Sequence, residues 1–197
     1  MQTSLFNTEK LPLAYHLSKE HLFAAYYDCR RNKRNSSSAL KYELNYESNL
    51  LQLYEEIITG NYNPAPGFCF IIKKPVKREV FAPAFRDRVV HHLLFNYLSP
   101  IFEKAFLPDG YSCRKGKGTH YGIKRVDHFI RSYSDNYQKN CYILKLDIKG
   151  YFMSIDRVLL YDKLKSVLLN QKQKPEFDMS RICYLPHIFW FPVFRQL

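Results

Sequence analysis

Between Gly60 and Pro83 the chain leaves a helical period for two short extended runs, and this switch limits the fold more than any other feature. Phe68–Ile72 is apolar and follows Pro64 and Pro66; Arg78–Ala82 is the second run, and Pro75 lies in the turn between them. Short runs divided by turn residues read as a β-hairpin. Its tip is basic, with Lys73, Lys74, Lys77 and Arg78, and Pro83 closes it. On both sides the apolar period is helical. Upstream, residues 18–33 form a helix ending in Arg30, Arg31, Lys33 and Arg34. Residues 35–38 are a polar break, and a second helix covers 39–59. Leu40, Leu44, Leu51, Tyr54 and Ile58 share its apolar face, and Gly60 is its stop.

Downstream, a helix over 85–98 buries Val89, Val90, Leu93, Leu94 and Tyr97. Pro100 breaks it, leaving a short helical turn over 101–105. A glycine-containing loop over 108–118 leads to a helix capped by Thr119, with Ile123, Val126, Ile130 and Tyr133 on its apolar face. Residues 141–147 read as a strand. Asp156 caps a last helix reaching Leu169, with Leu160, Leu164, Val167 and Leu168 buried. The order lacks a regular strand–helix–strand alternation, so the class is α+β.

Lys and Arg number 30 and Asp and Glu 18, a net charge of +12 on a chain that is 46% apolar. That is enough apolar residue for a core, and the excess cation suits a polyanionic partner. The plainer reading is a basic surface kept for solubility. Cys29, Cys69, Cys113, Cys141 and Cys183 are odd in number, and none pairs at metal-clip spacing. This argues against a zinc site or a disulfide framework and for reduced thiols in the cytoplasm. Glu9 and Lys10 stand where a secretory leader needs an apolar run, and no segment reaches membrane-spanning length, so no membrane partner is expected.

Three stretches carry chemistry. In residues 142–156, Tyr142, Leu144 and Leu146 share one strand face and Asp147 ends the other. A carboxylate there reaches a metal at a sheet edge. Mg²⁺ takes hard oxygen ligands, and the Ile148 carbonyl adds one. Taken alone, Asp147 reads first as the cap of the next turn, and Phe152 as core. In the hairpin, Lys73, Lys74, Lys77 and Arg78 can neutralise a triphosphate, as an arginine fork and lysine point charges do; the alternative is a solvated tip. Asp87 and Arg88 read as a structural pair at a helix start. In the loop from Gly110, the cations Arg114, Lys115 and Lys117 stand beside glycines with no acidic residue before Asp127. Such a loop can approach phosphates.

Leu146-Asp147-Ile148-Lys149-Gly150-Tyr151-Phe152, followed by Ile155-Asp156, resembles motif A of reverse transcriptases of the group II intron, retron and diversity-generating retroelement type. Lys73-Lys74-Pro75-Val76-Lys77-Arg78, with Pro83 and Asp87-Arg88, resembles their fingers motif. Gly110-Tyr111-Ser112-Cys113-Arg114-Lys115-Gly116-Lys117 resembles their basic loop. The three fall in the family's order over about half the chain. The resemblance implies a right-hand polymerase fingers region with a partial palm over 61–170, an N-terminal helical extension over 1–60 and an aberrant tail over 171–197. It implies an RNA-directed DNA polymerase, a nucleotidyltransferase, with Asp147 and Ile148 on Mg²⁺. Lys74, Arg78 and Phe152 would hold a dNTP, and Lys73, Lys77, Arg114, Lys115 and Lys117 an RNA template with its DNA or RNA primer.

The chain departs from the family by lacking any Asp-Asp pair, and its last aspartate is Asp178. Two-metal phosphoryl transfer requires several carboxylates. The expectation is an incomplete enzyme, inactive alone. It acts instead as a non-catalytic RNA-binding module, or as one piece of a split polymerase whose C-terminal piece is a partner.

Overall fold

The computed structural model describes residues 17–31, 33, 36–74 and 77–169. The predicted tail over 171–197, with Cys183, lies outside these residues, as do Pro75 and Val76. The fold is α+β: seven helices and one two-stranded antiparallel sheet among the described residues. The described residues divide into two compact units, one containing those up to Tyr97 together with those from Arg157 to Leu169, the other Leu98–Asp156.

The first unit begins with α1, Lys19–Arg31, which buries Leu22, Ala25, Tyr26 and Cys29 at helical spacing. The expected single helix over 39–59 is two helices, α2 (Ser37–Glu43) and α3 (Tyr46–Thr59). The Ser36 hydroxyl accepts from the Ala39 amide and starts α2. Asn45, at φ −134° and ψ 41°, leaves helical geometry between them. The buried residues are Leu50, Leu53 and Ile57, one position before the expected Leu51, Tyr54 and Ile58, while Leu40 and Leu44 are exposed. Gly60 stops α3 in the left-handed region at φ 74°, where a side chain would be strained.

β1 (Phe68–Ile72) and β2 (Arg78–Ala82) form the hairpin. α4 (Phe85–Ala105) buries Val89, Val90, Leu93 and Leu94, as expected, but runs through Pro100 and does not break there. A proline interrupts one i→i−4 bond and need not end a helix whose other bonds persist. Tyr26 joins the elements: its ring stacks on Tyr46 at 5.2 Å and meets Phe85 edge-on at 6.2 Å. Burying side chains such as Leu22, Leu50 and Leu93 stabilises this unit by about 1.5–3 kcal/mol each. The last described helix of the unit, α7 (Arg157–Leu169), follows the short helix α6 (Tyr151–Ser154). Leu160, Leu164, Val167 and Leu168 are half-buried.

In the second unit α5 is Thr119–Ser134. Gly118 holds the N-cap position and Thr119 is already helical, so the expected threonine cap is not formed. The expected apolar face is not covered: Ile123, Val126 and Tyr133 are 59%, 46% and 75% exposed, and Ser134 is the buried residue of the helix. Residues 141–147 are not a strand. A strand exists by pairing, and this segment has no pairing partner among the described residues. No described helix is long and apolar enough to cross a membrane.

Candidate nucleic-acid interface

The hairpin pairs Phe68 with Ala82, Phe70 with Val80 and Ile72 with Arg78. Residues two apart on a strand share a face. Phe68 and Phe70 therefore stand side by side, their ring centroids 6.1 Å apart, with 49% and 40% of their surface exposed. Beyond them the tip presents Lys73, Lys74 and Lys77, all exposed and none in an ion pair among the described residues. Arg78 lies in β2 through its backbone; its side chain, like that of Phe152, lies outside the described residues. Beside Phe68 is an open cleft of about 460 Å³ lined by Lys41, Tyr42, Gln52, Phe85 and Arg86.

The hairpin's feet are tied by a buried carboxylate. The Tyr62 hydroxyl donates to Asp87 Oδ1 at 2.8 Å, and the Ala65 amide donates to Oδ2 at 3.0 Å. Asp87 is only 2% exposed. Burial pushes its carboxyl above the ordinary range, although both donors and Arg86 pull the other way. Burial first, and the Asp87 charge second, push the Tyr62 hydroxyl up as well. Arg86 pairs with Glu56 and lies 5.4 Å from the centre of the Tyr62 ring. The expected Asp87–Arg88 pair is absent, and Arg88 Nε donates to the Pro83 carbonyl at 3.3 Å. Asp87 pairs instead with its other neighbour, Arg86, at 3.6 Å.

In the second unit the basic loop is braced from within. Arg114 Nε donates to Glu103 at 2.9 Å, and its Nη1 donates to the carbonyls of Leu107 at 2.7 Å and Gly110 at 2.9 Å. Its side chain is 9% exposed and lies over the Phe106 ring. Lys117 Nζ donates to the Pro108 carbonyl at 2.6 Å. A tight turn at Gly116, φ 74°, brings residues 114 and 117 into a bridge. Of the three expected nucleic-acid cations in this loop, Arg114 and Lys117 are half-buried and Lys115 is exposed. Arg114 and Lys117 hold the loop's shape.

A second clamp was not foreseen. Arg125 forks onto Asp109, with Nε to Oδ1 at 2.7 Å and Nη2 to Oδ2 at 3.1 Å, and Tyr111 adds a bond of 2.8 Å. The Arg125 hydrogen bonds hold the Asp109 carboxyl down at about 2. Arg125 also lies 4.5 Å from the Phe129 ring centre. Partners 16 residues apart leave no periodic signal in the sequence. The Phe68/Phe70 pair did leave one, as an aromatic alternation.

Asp147 is exposed on the unpaired segment. The Ile148 carbonyl, its expected companion, accepts from the Tyr151 amide at 3.3 Å. Among the described residues no group of three or more His, Cys, Asp or Glu side chains is placed to hold a metal. A lone carboxylate does not fit a two-metal Mg²⁺ centre, which needs several. The cysteines Cys29, Cys69 and Cys141 are free thiols.

No protein-family model matches the chain. A stretch of 110 residues is 26% identical to protein YkfC of Escherichia coli strain K12, covering 55% of this chain and 28% of that protein. The matched stretch is thus little more than a quarter of the relative's length.

Proposed function

We propose that this chain is a non-catalytic RNA-binding module related to the fingers of reverse transcriptases. The exposed lysine tip beside the Phe68/Phe70 pair is the observation that carries this reading. Aromatic faces stack on unpaired bases, and nearby cations neutralise the backbone; together these bind single strands without strong sequence preference. The three ordered motifs supply the link to reverse transcriptases, and among the described residues no group of carboxylates gathers around Asp147 to hold a metal. A second reading is one piece of a split RNA-directed DNA polymerase, in which another polypeptide adds the missing carboxylates, and with them Mg²⁺, primer and dNTP. The departure from the family beyond motif A favours keeping it.

Two measurements test the reading. Fluorescence anisotropy with single-stranded RNA should show binding that weakens with salt. Replacing Lys73, Lys74 and Lys77 with Ala should flatten the slope of log affinity against log salt by about 2, at roughly 0.7 per lost contact. An unchanged slope overturns the hairpin's role. Primer extension on an RNA template with dNTPs and Mg²⁺ should give no product; extension abolished by Asp147→Ala would make the chain a polymerase in its own right.

A further inference from the structure

Residues 140–148 run without a turn or bend, and no backbone hydrogen bond joins residues 141–147 to any other described residue. Tyr142, Ile143, Leu144, Leu146 and Ile148 are 95%, 68%, 80%, 80% and 65% exposed. A drawn-out apolar segment with open amide and carbonyl rows is a template for strand pairing. Its charges indicate what it pairs with. Lys145 and Asp147 lie two apart on one face, and Tyr142, Leu144, Leu146 and Ile148 lie on the other.

We propose that residues 144–148 pair antiparallel with the same segment of a second copy, about a two-fold axis at Leu146. In that register Lys145 faces Asp147 of the second copy, and the reverse pair forms by symmetry. Leu144 faces Ile148 of the second copy on the apolar side, and the two Leu146 side chains meet at the axis. Opposite charges directly across a ladder attract and like charges repel. An axis at Lys145 sets lysine against lysine, and an axis at Leu144 leaves both charges unmatched, so the alternation selects one register. The contact is isologous and closes at two copies. It concerns assembly and stands whether or not the hairpin binds RNA. It also engages both Asp147 carboxylates, so a paired chain does not offer them to a metal.

Sedimentation velocity on the nuclease-treated full chain, over a wide concentration range, tests it. The expected result is a reversible monomer–dimer equilibrium. Lys145→Asp and Asp147→Lys, each alone, should weaken association about tenfold, because both cross-strand pairs turn from attraction to repulsion. The double variant K145D/D147K should restore it. Both positions are exposed and charged, and circular dichroism verifies that the variants fold. A chain monomeric at every concentration overturns the proposal, as does a dimer indifferent to the single changes or not restored by the double one. In those cases the segment is left to a different polypeptide.

Discussion

The hydroxyl of Tyr62 donates to Asp87 at 2.8 Å, across 25 residues of chain that include the whole hairpin. Tyr62 precedes β1 and Asp87 sits in the first turn of α4, so one carboxylate holds both feet of the lysine-tipped element. Tyr62→Phe removes the donor and keeps the ring. It should cost about 1.5–3 kcal/mol, the worth of a hydrogen bond to a charged group, measured by urea unfolding. Asp87→Ala should cost more, because it orphans the Tyr62 hydroxyl and the Ala65 amide together.

His91 makes stability fall in mild acid. Burial at 8% exposure, helped by the neighbouring His92 and Arg88 charges, pulls its imidazole down to about 4. The unfolded chain, titrating near 6.5, therefore binds a proton that the folded chain refuses. Stability is fully present above 6.5 and declines as pH falls from there towards 4, by about 3 kcal/mol in all. Denaturant midpoints across that range should show the decline, and His91→Leu should remove most of it, with His92 contributing the remainder in the same sense.

Arg114 is held inside the loop and Lys115 stands exposed beside it, so their alanine variants should differ in stability. Arg114→Ala leaves Glu103 and two carbonyls without their donor; thermal unfolding should drop, with a loss of about 1–3 kcal/mol. Lys115→Ala should leave unfolding unchanged. Should the loop touch RNA, it lowers the salt slope by about 0.7.

The Asp109–Arg125 fork gives the same loop acid resistance. The folded carboxyl titrates at about 2, below its ordinary value near 3.8, so the stability it adds is present above 3.8 and is lost as pH falls through 2. Amide exchange over residues 107–118 should stay slow at pH 4 and quicken near pH 2. Asp109→Asn should show the fast pattern at every pH.

The elements around the hairpin were legible because their signals are local. Gly60, the prolines flanking β1 and the Val89/Val90/Leu93/Leu94 spacing each act within a turn or two. The face over 39–59 was misread by one residue on both sides of Asn45: Ala39, Leu50, Leu53 and Ile57 are buried where Leu40, Leu51, Tyr54 and Ile58 were expected, because adjacent apolar residues such as Leu50 and Leu51 offer two neighbouring stripes. Arg114 was read as a phosphate contact because the sequence displays its charge and hides Glu103, 11 residues upstream in a preceding helix. The strand at 141–147 failed for a third reason. Its alternation was real, but alternation specifies faces, whereas pairing needs a second strand that the described residues do not contain.

The same unpaired segment bears on how the chain behaves when concentrated. Fibrils stack identical strands parallel and in register every ~4.7 Å, which here would place Lys145 on Lys145 and Asp147 on Asp147 along the whole axis. These two charges act as gatekeepers in an otherwise sticky heptad of residues. Their protection is electrostatic, so it weakens as the screening length shrinks from about 10 Å at 0.1 M salt to about 3 Å at 1 M. High salt therefore leaves residues 142–148 least guarded against amyloid-like growth.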